Sequence, residues 1–427
     1  MRFASTRGGC EPATASEALR TGLAPDGGLF VPEALPPLSP AALDPELPYP
    51  ERAREVLAPF FRDDELERDL PEICRQAFNF PVPMIRLSDR VRILELFHGP
   101  SAAFKDFGAR FLALALERLQ SGQDKPLTIL VATSGDTGGA VAAAFHGRAG
   151  ISVRVLFPRD GVSERQKKQL TCWGDNVSSY AVRGTFDDCQ RIVKEAFRAP
   201  ELAGRFRLSS ANSINLGRLL PQTVYYVHAA ARYLSETGEH PVLVIPSGNV
   251  GNAVGAYWAK AMGAPIARIV LAVNANRTLP DFLTEGIYRP RPGVRTIANA
   301  MDVGDPSNLE RLRFLFPDRK TLEREVSARS VTDGEIRETI KGVFETYGYV
   351  LCPHTATAEY LRERRLPEAS AIVVATAHPA KFETVVEPLI GRIIPVPEAL
   401  RAMLDAESRY QTIEPSLEEL FPRSRTD

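Results

Sequence analysis

Lys105 sits in the stretch HGPSAAFKDFGARF, with Phe104 and Phe107 close on either side. An amine held among apolar side chains loses its proton more readily, becomes nucleophilic near neutral pH and can form a Schiff base with a carbonyl. The same stretch also suits a surface lysine whose stem lies along apolar surface with its head in water. Two glycine loops add anion chemistry. Ser247-Gly248-Asn249-Val250-Gly251-Asn252 leaves the apolar run VLVIP and enters a small-residue helix pattern, AVGAYWAKAM. Glycines let a backbone approach an anion closely, and the N–H groups at a helix start suit a phosphate; a plain tight turn would use the same residues. Thr133-Ser134-Gly135-Asp136-Thr137-Gly138-Gly139 carries hydroxyls and a carboxylate. Its hydroxyls at a helix start suit a carboxylate or a second phosphate, and Asp136 can accept a hydrogen bond from a phenol-like hydroxyl. The alternative is a helix capped by Ser134 or Asp136.

Thr376 ends the run AIVVAT and precedes Ala377-His378-Pro379-Ala380-Lys381. A threonine hydroxyl can meet a ring nitrogen as a neutral partner, whereas a carboxylate would hold that nitrogen protonated; it can equally bond nearby backbone. Asn215 and Arg218 lie three apart in ANSINLGRLLPQ and share one face of any helix there, as the residues of a solvated helix end also do. His98 and His354 are each either a proton carrier or a structural histidine. The chain contains no GxGxxG, no GxxxxGK[ST], no HExxH and no GxSxG, which removes support for hydride transfer, ATP hydrolysis, zinc hydrolysis and a serine triad.

These residues need elements to position them, and four apolar runs supply candidates: VRILELFHGP, LTILVATSGDTGG, PVLVIPSGNVGN and AIVVATAHPAKF, beginning at residues 91, 127, 241 and 371. Short continuous apolar runs predict strands covered on both faces of a parallel α/β sheet, with ligand-binding loops at their carboxyl ends. An internal repeat supports this. Ser134, Gly135, Gly138, Ala140, Val141 and Ala143 match Ser247, Gly248, Gly251, Ala253, Val254 and Ala256 at an offset of 113 residues, and the match continues into the strand-like ISVRVLFP and PIARIVLAV. Two similar βαβ units are expected. At 427 residues and 44% hydrophobic content the chain is long enough for two or three lobes. Charge is balanced, 52 Lys and Arg against 53 Asp and Glu, so no nucleic-acid or anionic-membrane footprint is expected. The five cysteines form no CxxC pair, and no apolar run reaches the length of a membrane span; a reducing, cytoplasmic setting and no membrane partner are expected. The proline-rich residues 32–50 are expected to wrap an N-terminal lobe.

In order along the chain, STRGG, FHGPSAAFKDFGARFL, VATSGDTGGA, NSINLGRLLPQ, PSGNVGN, AMDVGDPSNLERL, LCPHTATA and ATAHPAKF resemble the blocks of threonine synthases. The lysine block differs from the commoner HGPTLAFKDF at Ser101 and Ala102, and Val250 stands where phenylalanine is frequent. The resemblance implies an α/β fold-type II pyridoxal-phosphate enzyme, similar to the tryptophan synthase β chain, with two βαβ-type lobes around a cleft plus a small N-terminal lobe. It implies domains over 1–90 and 91–427, with a smaller lobe inserted at about 110–235. The implied substrate is O-phospho-L-homoserine, turned with water into L-threonine and phosphate. Carried onto matching positions, Lys105 bonds pyridoxal phosphate, Ser247 to Asn252 (with Gly248, Asn249, Val250 and Gly251) hold its phosphate, Thr376 meets the pyridine nitrogen, and Asp136 lies near the ring hydroxyl. Ser134, Gly135 and Thr137 receive the substrate carboxylate; Ser101, Asn215, Arg218 and Lys381 are candidates for its phosphate. Two alternatives stay open: a phospholyase that releases 2-oxobutyrate, and a non-catalytic relative acting as a binding module. Oligomeric state is not legible.

Overall fold

A computed structural model of the chain describes residues 1–123 and 125–422. All four apolar runs form strands, and two parallel-type sheets organise the molecule. Thirteen strands are described: β1 Phe3–Ser5, β2 Phe30–Pro32, β3 Met84–Arg86, β4 Val91–Glu95, β5 Leu127–Ala132, β6 Ile151–Pro158, β7 Val177–Val182, β8 Arg207–Ser210, β9 Val242–Pro246, β10 Arg268–Val273, β11 Ser327–Ser330, β12 Ala371–Ala375 and β13 Gln411–Ile413. The larger sheet has the order β11-β10-β9-β12-β4-β3 and is parallel except for β3, which runs antiparallel to β4 at the edge. The smaller sheet, β13-β7-β6-β5-β8, is parallel throughout. Every residue of β4, β5 and β12 is buried, which is why these strands read as unbroken apolar runs rather than alternating ones.

Both expected βαβ units form. β5, the helix Asp136–Phe145 and β6 make one; β9, the helix Gly251–Ala261 and β10 make the other. The repeat is inexact at the helix starts: the second helix begins two residues later in the matched register, because Val250 takes a left-handed φ of 65° just before it. The carboxyl ends of β4, β5, β9 and β12 lead into the segments that hold Lys105, Asp136, the Ser247 loop and Thr376.

The N-terminal residues add β1 paired antiparallel with β2, and the helices Tyr49–Leu57 and Leu70–Ala77, the second of which packs on the helix Lys105–Gln120. The prolines of residues 36–50 carry no amide donor, which interrupts any ladder there. Carbonyls of this segment are met instead by the buried Arg52, which donates to Ala42 O at 2.6 Å and to Pro45 O and Leu47 O at 3.3 Å. β13 was not expected: a three-residue strand from the C-terminal segment closes the edge of the smaller sheet beside β7.

Candidate active site

Lys105 opens the helix Lys105–Gln120, and the chain before it is stitched to the end of β12. Phe104 N donates to Thr376 O at 2.9 Å, His378 N to Ala102 O at 3.0 Å, and Ala103 bridges Ala377. Lys105 and Thr376 therefore share one floor. The Lys105 side chain is only 15% exposed, with its Nζ 4.7 Å from the centre of the Phe104 ring. Burial pulls its pKa down to about 8, partly opposed by the carboxylate of Asp136. Phe107 plays no part in this: it faces away into an aromatic cluster with Phe80 and Tyr225, at 4.7 and 5.2 Å between ring centres.

Asp136, at the start of its helix, faces Lys105 with Oδ2 at 3.9 Å from Nζ. Its other oxygen, Oδ1, takes the Lys381 ammonium at 2.7 Å and Gln166 Nε2 at 3.0 Å. Burial alone would raise the carboxyl, but Lys381 and then Lys105 outweigh it and hold Asp136 well below the usual carboxylate range. Gln166 is itself oriented by Asn299, whose Nδ2 donates to its Oε1 at 2.9 Å.

Neither Ser134 nor Asp136 caps the helix Asp136–Phe145. Thr133 does so from one position earlier: its Oγ1 accepts from Gly135 N at 3.0 Å and Gly138 N at 2.9 Å. The hydroxyls of Ser134 and Thr137, both in the cleft wall, are left without a hydrogen-bond partner among the described residues. Gly135 has a φ of 137°, and a Cβ there would lie 2.6 Å from the Gln166 side chain, so the loop needs glycine both for conformation and for space.

The second glycine loop has the features of an anion site. No side chain caps the helix Gly251–Ala261, so the N–H groups of its first turn face the cleft unclaimed by a cap. Asn252 accepts from the Tyr225 and Tyr226 hydroxyls at 2.6 and 2.7 Å, which leaves its buried Nδ2 without a partner. Asn249 braces the loop, donating to Ser213 Oγ at 2.8 Å and accepting from Ser307 N at 2.7 Å. A Cβ on Gly248 would stand 2.7 Å from Met301 Cα. An uncapped helix start, an orphaned donor and a cradle too tight for a side chain fit a phosphate monoester.

Thr376 lines the same cleft, with no hydrogen bond from its hydroxyl among the described residues. Arg218 lines it too: its guanidinium donates to Ala211 O, its Nε has no partner, and burial lowers its pKa to about 10. Three expected substrate contacts lie elsewhere. Asn215 is not on a helical face with Arg218; it is the N-cap of the short helix Leu216–Leu219, accepting from Gly217 N at 2.9 Å and donating to Leu19 O and Ser210 O at 2.9 and 3.0 Å. Its amide is spent on structure. Ser101 is fully buried behind the floor, its N donating to Asp106 and its O accepting from Gln169 and Lys381 at 2.9 and 3.0 Å. Lys381 is equally buried, turned to Asp136 and away from the cleft wall.

Of the two histidines, His354 lines the cleft but accepts from Ala300 N at 3.1 Å through Nε2, and burial takes its pKa down to about 4, so it is a neutral structural residue. His98 pairs with Glu95 at 2.7 Å outside the cleft. The cleft also includes Phe186, Gln190, Asn212, Ser213, Met301 and Val303, which sequence reasoning passed over. Ser213 and Met301 stand in segments already singled out, yet neither carries charge or reactive chemistry; Phe186 and Gln190 come from an amphipathic helix with no distinguishing motif.

Comparison with known proteins gives the same answer from outside the structure. Residues 81–376 match the family described as pyridoxal-phosphate dependent enzymes, residues 2–78 the threonine synthase N terminus, and residues 354–420 the threonine synthase C-terminal family. The chain is 40% identical to the threonine synthase of Haemophilus influenzae over 91% of each chain, and 40% identical to that of Escherichia coli over 92% of each. Among solved structures, Escherichia coli threonine synthase superposes with a TM-score of 0.92 at 38% identity, covering 98% of both chains. The pyridoxal-phosphate-bound enzyme of Brucella melitensis superposes with a TM-score of 0.89 at 34% identity and the same coverage. With relatives at this identity matched over nine-tenths or more of both chains, the chain belongs to the threonine synthase family of pyridoxal-phosphate-dependent enzymes.

Proposed function

We propose that the chain converts O-phospho-L-homoserine and water into L-threonine and phosphate, with Lys105 as both the residue that bonds the cofactor and the base that moves the substrate's α-proton. The observation that carries this reading is the Lys105 amine, buried on the cleft floor with its pKa drawn down to about 8 and a carboxylate 3.9 Å away. When bound, pyridoxal phosphate supplies an aldehyde for the lysine and a conjugated ring that stabilises the charge left on the substrate's α-carbon.

The residues from Ser247 to Asn252 hold the cofactor phosphate on the free helix start. Thr376 offers the pyridine nitrogen a hydroxyl, a partner that does not force protonation there and so favours elimination and replacement over transamination. Asp136, beside Lys105, lies on the side of the ring hydroxyl. Ser134 and Thr137, relieved of capping by Thr133, receive the substrate carboxylate together with the backbone at Gly135. Arg218, a buried cation on the cleft wall with an unpartnered Nε, binds the substrate phosphate. Its neutral amine lets Lys105 accept the α-proton, and the same amine, once protonated, can return a proton later. His354 is excluded as the base because its Nε2 lone pair already holds Ala300 N.

The division into lobes over 1–90 and 91–427, with the smaller one at about 110–235, is proposed on the same reading. Cytoplasmic residence is proposed likewise; among the described residues no helix is long and apolar enough to cross a membrane.

The test is to incubate the pyridoxal-phosphate-loaded protein with O-phospho-L-homoserine and identify the products. L-Threonine and phosphate in equal amounts are expected. 2-Oxobutyrate without threonine would make the protein a phospholyase, and failure of the pure protein to hold pyridoxal phosphate would favour a non-catalytic role.

A further inference from the structure

We infer that Lys381 is a positioning residue for Lys105: it fixes Asp136 as a carboxylate with one oxygen engaged and the other turned to the Lys105 amine, and so sets how readily that amine gives up its proton. The inference rests on the reading of Lys105 as the cofactor lysine. Its basis is geometric. Lys381 is fully buried in the turn Pro379–Phe382, where an ammonium is tolerated only if paired and hydrogen-bonded. Its Nζ reaches Asp136 Oδ1 at 2.7 Å and Ser101 O at 3.0 Å. Gln166 adds a third hold on the same region by donating to Oδ1 at 3.0 Å, so the carboxylate cannot rotate without breaking two contacts. Oδ2 is left for Lys105.

The charged and titratable groups that face Lys105 come from every element around it. Asp136 stands on the helix Asp136–Phe145, Lys381 in the turn after β12, and Arg218 in the helix Leu216–Leu219; Cys352 and His354 stand at the start of the helix Pro353–Arg365. Asp106, next along the chain, bonds Ser101 N at 2.9 Å. Among these, Asp136 is the anion within 4 Å of the Lys105 amine, and Lys381 cancels its charge at a shorter distance. Lys105 therefore faces a neutral pair rather than a bare carboxylate. Without Lys381, the anion would bind the Lys105 ammonium and hold its proton on.

The readout is the midpoint of the pH titration of the holoenzyme's visible Schiff-base absorbance, together with the rate at which apoprotein and pyridoxal phosphate form it. Lys381→Met should raise the midpoint by about one pH unit or more, and slow formation at neutral pH by about tenfold, since the Asp136 anion 3.9 Å from the amine then acts uncompensated in a partly screened interior. Lys381→Arg, which keeps the charge, should stay near the parent. The double variant Lys381→Met with Asp136→Asn should return towards it, because both charges are gone. A purely structural role would not produce that reversal. An unchanged or lowered midpoint in Lys381→Met overturns the inference.

Should Lys381→Met fail to fold, Lys381→Gln, which keeps an N–H donor for Asp136 and removes the charge, is measured in its place: the midpoint should rise in the same direction, and an unchanged or lowered midpoint overturns the inference. Lys105→Ala separates the two readings. If the absorbance survives in that variant, the placement of the cofactor on Lys105 has failed, whatever Lys381 does.

Discussion

Replacing Gly248 with Ala tests the phosphate cradle where the structure leaves least room. The added Cβ would lie 2.7 Å from Met301 Cα and 3.2 Å from its carbonyl carbon and oxygen, all backbone atoms that cannot rotate away. Either the loop from Ser247 retreats or the segment around Met301 lifts, and both belong to the cleft wall. Overpacking of this kind costs about 1–3 kcal/mol. If the loop retreats, the free N–H groups of the helix Gly251–Ala261 move out of register with a bound phosphate, and the cost appears as weaker cofactor binding. At 1.4 kcal/mol per factor of ten, pyridoxal phosphate should bind roughly 5- to 150-fold more weakly. Titrating apoprotein with pyridoxal phosphate and following the visible absorbance gives the affinity; calorimetric melting of the apoprotein shows how much of the cost falls on the fold instead. An affinity within about twofold of the parent, in a variant whose apoprotein melts normally, would refute the assignment of this loop to the cofactor phosphate.

Lys105 should react with pyridoxal phosphate at a rate that climbs with pH and is half-maximal near 8, because only the neutral amine attacks and its fraction grows as pH rises through the depressed pKa; stopped-flow mixing of apoprotein would show it, and a midpoint near the ordinary lysine value of about 10.4 would refute the burial argument. Arg311 is fully buried and joins β2 to the cleft by donating to Phe30 O at 3.0 Å, Ser213 O at 3.0 Å, Ile214 O at 2.7 Å and Asn308 Oδ1 at 2.6 Å. Arg311→Met should cost about 3 kcal/mol or more, read as a fall in the urea midpoint, since buried acceptors are left unpaired. Gly342, inside the helix Asp333–Tyr347 with no atom within 4 Å of an added Cβ, is a site where Ala should stabilise by about 0.5–1 kcal/mol and leave turnover unchanged; a lower melting temperature would show that the helix needs glycine there.

The strands were legible because both faces of β4, β5, β9 and β12 meet other elements, and that burial writes itself into the sequence as short apolar runs. The two glycine loops and Lys105 were legible because each sits where such a run stops. Reasoning by local spacing went astray where the partner lay elsewhere in the chain. Asn215 and Arg218 have helical spacing, but the helix begins only at Leu216, and the carbonyls of Leu19 and Ser210 claim the Asn215 amide. Phe107 is two residues from Lys105 yet belongs to a different aromatic cluster. β13 is three residues of ordinary composition that become a strand only because β7 presents an edge to them.

The sequence by itself determined the α/β architecture, the repeated βαβ units and the lysine and glycine loops at strand ends, since burial, helix starts and tight turns are properties of neighbouring residues. Only the tertiary structure decided how the charges are shared: that Lys381 faces Asp136 rather than the cleft, and that Lys105 is left with the second carboxylate oxygen. The physical reason is range. An ion pair between residues 136 and 381 leaves no periodicity or spacing along the chain, and it exists only once two sheets bring the end of β12 against the start of the helix after β5.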